Sequence, residues 1–242
     1  MKHTPRFYSP NLDISRKTIS LSDGQVYKKM HNVLRMVKGD TAIITDGKGK
    51  IFRLRLDLIS SAKITGEIIE KIPLKNSLRF HLTLAQAMPK GNKMEEIVKM
   101  GTEVGVSEFI FFESKYSVVK KKNFKTNKLE RLQKIIIESS LQSERDIFPV
   151  LSEPATFDEV ITRTEREILM HSRVVDQSQD LQKIKKGIED DQKLTILIGP
   201  EGGFSNEEIA KAVSEGCLIA HLNLPILRTE TAGAVISGII LA

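Results

Sequence analysis

Leu194-Thr-Ile-Leu-Ile-Gly-Pro-Glu-Gly-Gly-Phe-Ser-Asn-Glu-Glu208 spells out a strand, a tight turn and the start of a helix. The unbroken apolar run Ile196-Leu197-Ile198 suits a central strand covered on both faces, as in a parallel sheet. After Gly199 come Pro200, Glu201, Gly202 and Gly203, a turn whose glycines let backbone approach a ligand with no Cβ in the way. Ser205 and Glu208 have the spacing of a capping box, and Phe204 with Ile209 that of a hydrophobic staple, so a helix is predicted from Ser205. In open α/β sheets ligands bind at the carboxyl ends of the strands, which makes this loop a candidate site. A merely compact turn fits the same glycines equally well. Neither GxGxxG nor GxxxxGK[ST] is present, so a dinucleotide fingerprint or a P-loop has little support.

A second strand-to-helix segment, Leu222-Asn-Leu-Pro-Ile-Leu-Arg-Thr-Glu-Thr-Ala-Gly-Ala234, follows further on. Thr229 or Thr231 is placed to cap the last helix. There Ala232, Gly233, Ala234, Ser237 and Gly238 interleave with Val235, Ile236, Ile239, Ile240 and Leu241. A helix apolar on nearly every side must be buried, against the core or a subunit partner. Arg228 and Glu230 at its start are charges that a purely structural loop would not need, unless they form an ordinary capping or ion-pair arrangement.

Around these segments, strand-like runs at residues 79–85, 108–113, 167–171 and 218–222 alternate with helical patterns. Met94, Ile97, Val98 and Gly101 mark one helix, Leu129, Leu132 and Ile136 another, and Thr156 with Glu159 opens a third. Strands separated by helices predict an α/β domain with a parallel sheet over residues 74–242. Residues 1–73 read differently. Phe52, Leu54, Leu56 and Leu58 alternate with Arg53, Arg55 and Asp57, giving a half-buried strand. Residues 41–45 are a second strand, joined to it through Asp46-Gly47-Lys48-Gly49. Ser22 and Gln25 suggest a cap, after which Val26, Met30, Val33, Leu34 and Val37 predict a helix to about Gly39. Its other face carries Lys28, Lys29, His31, Asn32 and Arg35. A small barrel-like β domain with one basic helix results, and residues 73–77 are the boundary.

The 242 residues carry 37 Lys and Arg against 31 Asp and Glu, a formal charge of +6. Residues 1–75 hold 15 of those bases against 7 acids, and residues 115–134 hold 8 against Glu130 alone. Segregated basic surfaces attract polyanions, although a solvated lysine-rich loop is the bland alternative. A single cysteine, Cys217, excludes a disulfide framework and any CxxC motif, and a reducing cytoplasm is the expected setting. No apolar leader or membrane span is read. The histidines at 3, 31, 81, 171 and 221 share no ligand spacing, so no metal is expected. The absence of GxSxG disfavours an α/β-hydrolase. Cys217 reads as a buried structural thiol, and His171 as a satisfied core histidine rather than a lining of the cleft.

Gly199-Pro-Glu-Gly-Gly203 followed by Ile226-Leu-Arg-Thr-Glu-Thr-Ala232 resembles the paired signature of the RsmE family of bacterial ribosomal RNA methyltransferases, in the SPOUT superfamily. Pro5-Arg-Phe-Tyr8, His31-Asn-Val-Leu-Arg35, Gly39-Asp40 and Asp46-Gly47 resemble its N-terminal PUA-like RNA-binding domain. Gln86-Ala-Met-Pro-Lys90, Lys93-Met94, Thr102-Glu-Val-Gly105, Ser117-Val-Val-Lys120, and Gln142-Ser143 with Arg145 match its middle. The sequence departs from the family at Asn223-Leu224-Pro225, where Gly-x-Arg is common, and at Leu141, where Glu is usual.

The resemblance implies S-adenosyl-L-methionine as methyl donor and N3 of a uridine in 16S ribosomal RNA, free or in the small subunit, as acceptor. It further implies a homodimer and a trefoil knot in the C-terminal domain. Carried over by position, the cofactor lies among Ile198, Gly199, Pro200, Gly202, Gly203, Leu222, Leu227, Thr229, Thr231 and Ala232. Arg228 is expected to stabilise the uracil oxygens or position a phosphate, and Glu230 or Glu201 to accept the N3 proton or order the loop. Arg6, His31, Arg35, Lys121, Gln142 and Arg145 are expected to hold RNA. Two alternatives stay open: a non-catalytic RNA-binding assembly factor with the same fold, and a related knotted methyltransferase acting on another RNA position.

Overall fold

The computed structural model describes residues 4–75, 80–164, 166–190 and 192–242. Arg79, His3 and residues 76–77 of the expected boundary lie outside them. The chain divides into two compact units, Met1–Ser77 with Ser140–Phe148, and Leu78–Ser139 with Pro149–Ala242.

In the first unit, β1 (Arg6–Tyr8), β2 (Asp13–Ser15), β3 (Thr18–Leu21), β4 (Thr41–Thr45), β5 (Ile51–Ile59) and β6 (Ile64–Lys71) form one sheet in the order β1-β4-β5-β6-β3-β2. Only the β1–β4 pairing is parallel. The β4–β5 turn closes on Asp46, whose Oδ1 accepts from the N–H groups of Lys48 (2.8 Å) and Lys50 (3.0 Å). Gly47 and Gly49 there have φ of 69° and 99°, left-handed values that glycine adopts without a Cβ penalty. Phe52, Leu54 and Leu56 are buried with Phe7, Ile19, Ile44 and Met30. The alternation stops at Leu58, which is exposed, because the β5–β6 register shifts between Leu56 and Leu58.

The expected first helix is corrected in three respects. Its cap is Asp23, whose carboxylate accepts from the N–H groups of Gln25 and Val26, not Ser22. After one α-helical turn, α1 (Gly24–Tyr27), the chain widens into a π-helical stretch over Lys28–Val33 and ends at Leu34, short of Gly39. The wider turn breaks the 3.6-residue period, so Val26, Met30 and Met36 are buried while Val33 (70% exposed) and Val37 (63%) face outward.

Residues 140–148 complete this unit. Phe148 N–H donates to the Gly47 carbonyl at 2.8 Å, its ring packs on Tyr8 at 5.3 Å, and Lys75 N–H donates to Asp146 Oδ2 at 2.7 Å.

The second unit is an α/β domain. Its elements are β7 (His81–Ala87), α2 (Lys93–Val104), β8 (Glu108–Glu113), α3 (Thr126–Gln142), β9 (Val150–Leu151), β10 (Ala155–Thr156), α4 (Phe157–Val160) and β11 (Arg166–Met170), then β12 (Gln179–Asp180), α5 (Leu181–Lys186), β13 (Lys193–Ile198), α6 (Asn206–Ser214), β14 (Leu218–His221) and α7 (Thr229–Leu241). The strands run in the order β10-β8-β7-β13-β11-β14-β12, with β9 on β8, and every pairing is parallel. β13 sits between β7 and β11, which explains its unbroken apolar run: every residue from Leu194 to Ile198 is buried. Both expected capping boxes form, Thr156 with Glu159 and Ser205 with Glu208. Gly101 of α2 lets the helix meet β8, since a Cβ there would lie 2.5 Å from the Phe109 ring. α7 packs on α2, β7 and β13.

Candidate active site

Two loops leave the carboxyl ends of β13 and β14 and converge on one cavity of about 490 Å³. Its lining is mostly apolar, from Met170 and Ile198 to Leu222, Leu227 and Ile236, with Lys93, Glu201, Arg228 and His171 as the ionisable side chains. The β13 loop is fixed from below and within. Phe204 is buried against Phe112 and Phe157, with ring centroids 6.4 and 5.9 Å away, and such aromatic pairs are worth about 0.5–1.5 kcal/mol beyond the area they bury. Gly203 N–H donates to the Pro200 carbonyl at 2.8 Å, and Gly203 takes φ +70°. At Gly199 a Cβ would come within 3.2 Å of the Phe204 ring and 3.3 Å of Gly203 Cα, so the turn could not close as tightly around another residue.

The loops are tied to each other by a buried relay. Gln86 Nε2, at the end of β7, donates to Thr229 Oγ1 at 2.8 Å, and that hydroxyl donates to the Gly199 carbonyl, also at 2.8 Å. Thr229 therefore does not cap α7, contrary to expectation. Arg228 holds the cap position with no side-chain cap bond, and Thr229 is the first helical residue. Small residues on α7 admit the relay, since a Cβ on Gly233 would press on Leu84 at 3.1 Å and Gln86 Oε1 at 3.3 Å.

A second tie is ionic. Lys93 Nζ lies 2.9 Å from Glu201 Oε1 and 3.2 Å from Glu230 Oε2, bridging the β13 loop and the first turn of α7. The hydrogen bond to Glu201 leads the effects that hold the Lys93 ammonium above the usual lysine range. Burial pushes both carboxyls up, but Lys93 and, for Glu230, its own backbone N–H and Arg228 outweigh it and hold them below the ordinary range. Both acids are thus set to remain carboxylates.

Of the expected cofactor residues, Ile198, Gly199, Pro200, Gly203, Leu222, Leu227, Thr229 and Ala232 line the cavity, whereas Gly202 and Thr231 do not. Arg228 and Glu201 line it, and Glu230 is joined to it through Lys93. His171 is corrected: it lines the cavity half-exposed, its Nδ1 2.9 Å from the Arg173 carbonyl, and is not a core residue. Lys93 and Gln86 stand in segments that match the family, yet the sequence gives them no role, because nothing local reveals partners more than a hundred residues away. Cys217 is buried as expected, its thiol 3.3 Å from the Ile161 carbonyl and pushed up to about 12 by burial.

The expected RNA residues differ in exposure and pairing. His31, stacked on Tyr27 at 5.2 Å, and Arg35 are exposed. Lys121 is partly exposed and pairs with Glu159 at 2.9 Å. Gln142, the last residue of α3, is exposed, and Arg145 is partly buried, which pushes its guanidinium down to about 10. Arg6 is placed against the expectation: its side chain is 7% exposed and faces Asp146 (3.6 Å) and Glu144 (4.0 Å). The lysine-rich 115–134 stretch is also answered locally, with Lys115 on Glu207, Lys120 on Glu113, and both Lys128 and Arg131 on Glu95. Among the described residues no cluster of side chains is suited to hold a metal ion, and no helix is long and apolar enough to cross a membrane.

Residues 76–241 match the family model of an RNA methyltransferase domain. The chain is 31% identical over 224 residues to the ribosomal RNA small subunit methyltransferase E of Synechocystis sp., covering 92% of this chain and 72% of that protein. To the enzyme of that name from Bacillus subtilis it is 30% identical over 225 residues, covering 89% of this chain and 86% of that one. A solved ribosomal RNA small subunit methyltransferase E from Neisseria gonorrhoeae, bound to S-adenosyl methionine, superposes with a TM-score of 0.84 at 25% identity, over 98% of this chain and 97% of that chain. With the cavity at the carboxyl ends of β13 and β14, these matches identify the chain as a member of the ribosomal RNA small subunit methyltransferase E family.

Proposed function

We propose that the protein transfers a methyl group from S-adenosyl-L-methionine to N3 of a uridine in 16S ribosomal RNA, as part of the cytoplasmic maturation of the small subunit. The observation that carries this reading is the cavity shared by residues 198–201 and 227–229, in a chain of this family. Its volume lies within the range of small-ligand sites, about 300–1,000 Å³. Its chemistry fits the cofactor: apolar walls for an adenosine, loop backbone for its polar edges, and the Glu201 carboxylate for a cationic ligand. Ile198, Gly199, Pro200, Gly203, Leu222, Leu227, Thr229 and Ala232 would hold it, with Gly202 and Thr231 shaping the two loops from outside the cavity. When bound, the cofactor supplies an electrophilic methyl group on a sulfonium.

The chain's own residues must then orient the uracil and stabilise it as N3 loses its proton. Arg228 is exposed at the edge of the cavity and is suited to stabilise charge developing on the uracil oxygens. Glu201 and Glu230 are weak bases, since their interactions with Lys93 lower their affinity for a proton, and their role is to order the two loops. The first unit is assigned as a PUA-like barrel that grips RNA through His31 and Arg35, aided by Gln142 and Arg145, and Lys121 of the second unit is assigned an RNA contact of its own. A trefoil knot is supported by the return of the chain from β14, across the β13 loop, to α7 on β7 and α2. A homodimer is supported by the partly exposed Ala234, Val235 and Ile239 on α7 and by exposed Leu224 and Ile226.

Two measurements test the reading. Mass spectrometry of ribosomal RNA from cells lacking the protein should show the loss of one N3-methyluridine, and purified protein should bind S-adenosyl-L-methionine in calorimetry. Absence of binding would instead favour a non-catalytic assembly factor, the reading motivated by Leu224 and Pro225 in the cavity wall. Loss of a different methylated base would point to another RNA position. Arg228→Ala with full single-turnover methylation and unchanged RNA affinity would remove that residue from its assigned role.

A further inference from the structure

Tyr116 lies outside the cavity and is 49% exposed, on a turn closed by its neighbours' hydrogen bonds. The turn that carries it is closed by Ser117 N–H on the Ser114 carbonyl (3.0 Å) and Ser114 N–H on Ser117 Oγ (3.2 Å). Beneath it, buried Glu208 accepts from Ser114 Oγ and Lys115 N–H, both at 2.9 Å, while also accepting from Ser205 N–H at 2.8 Å. One carboxylate thus joins the Tyr116 turn to the start of α6 and so to the end of the β13 loop. On the far side of that loop the ring lies along Gly202. A Cβ there would meet Tyr116 Cβ at 3.2 Å and the ring at 3.5 Å, so glycine at 202 makes room for this aromatic.

Lys115 Nζ is 6.0 Å from the ring centroid and shares an exposed ion pair with Glu207. A half-exposed aromatic beside a lysine, on the outer face of the cofactor loop, is the arrangement that binds an unstacked base. Its π-face accepts any base, while Lys115 can exchange its exposed carboxylate partner for a neighbouring phosphate.

We propose that Tyr116 is a stacking platform for a base of the RNA substrate that flanks the methylated uridine. The proposal rests on the RNA methyltransferase reading above. A methylated base must leave its own stack to reach the cavity, and a platform beside the cofactor loop replaces the stacking that a neighbouring base loses.

The test compares Tyr116→Ala, Tyr116→Leu and Tyr116→Phe with wild type, reading methylation kinetics on small ribosomal subunits from cells lacking the protein, and S-adenosyl-L-methionine affinity by calorimetry. Ala and Leu should raise the KM for the subunit by about tenfold, Phe should restore it, and cofactor affinity should stay within about twofold throughout. Leu keeps the apolar bulk against Gly202, so a defect shared by Ala and Leu identifies the aromatic face. An unchanged KM in Tyr116→Ala overturns the proposal. So does a loss of cofactor affinity with normal KM for the subunit, which would make the ring a prop for the loop. A wild-type protein that neither binds the cofactor nor methylates the subunit overturns the functional reading itself, a result separate from either.

Discussion

The hydroxyl of Thr229 donates to the carbonyl oxygen of Gly199 across 2.8 Å, joining two loops that are 30 residues apart in the chain. Because the same hydroxyl accepts from buried Gln86 Nε2, removing it leaves that amide only its longer bonds to the Ala87 and Ile198 carbonyls and takes the threonine donor from the Gly199 carbonyl. Thr229→Val preserves shape and should cost about 1–3 kcal/mol in urea unfolding, while Thr229→Ser should cost much less. Cofactor affinity should fall with the valine. A valine variant as stable as wild type would show that the relay does not hold the loops.

Lys93→Met removes the cation between Glu201 and Glu230. The pairs are partly exposed, so the loss in cofactor affinity should be only a few-fold. The pH profile is the sharper readout. Lys93 is raised, so its contribution is complete below the ordinary lysine value and is lost as pH rises through the folded one. The two carboxyls are lowered, so theirs is complete above the ordinary carboxyl value and is lost as pH falls through the folded one. The bridge's contribution to wild-type stability should therefore be flat between the ordinary values of 4.5 and 10.5, and in Lys93→Met the acid limb of the stability profile should move up in pH. Superimposable profiles would count against the bridge.

Arg6→Met leaves Asp146 buried without its cation, and breaking a buried pair from one side costs about 3–5 kcal/mol. Thermal unfolding should show this, while the salt dependence of RNA binding should be unchanged. A flattened salt slope with normal stability would return Arg6 to the RNA surface.

Arg35→Ala should behave in the opposite way. Its side chain is exposed, so stability should hold, and the slope of log affinity against log salt should shrink by about 0.7–0.9, the share of a single phosphate that is no longer neutralised. An unchanged slope would take Arg35 out of the RNA footprint.

What could be read from the sequence was what neighbours in the chain decide. The β13 run, the Ser205–Glu208 box and the Asp46–Gly49 turn depend on residues within four positions, and each forms. The π-helical stretch was hidden because its residues match a helical period for one turn and then lose register. Lys93 and Arg6 were unreadable for a different reason. A lysine in the first turn of a helix and an arginine in a strand are ordinary surface residues until acids far along the chain, Glu201, Glu230 and Asp146, are brought beside them. The pairing of the lysine-rich stretch was unreadable in the same way, since its compensating acids lie outside it.

The closure of the first unit by residues 140–148 sets an order of events during synthesis. A ribosome that has translated β1 through β6 has made every strand of that sheet, but not Asp146 or Phe148. At about 5–20 residues per second, the nascent sheet waits several seconds for its last pieces, and α2, β8 and α3 emerge in the interval. A fragment ending near residue 75 would therefore be an unfinished body rather than a portable module, and a useful excision would have to carry the 140–148 strip on a new linker.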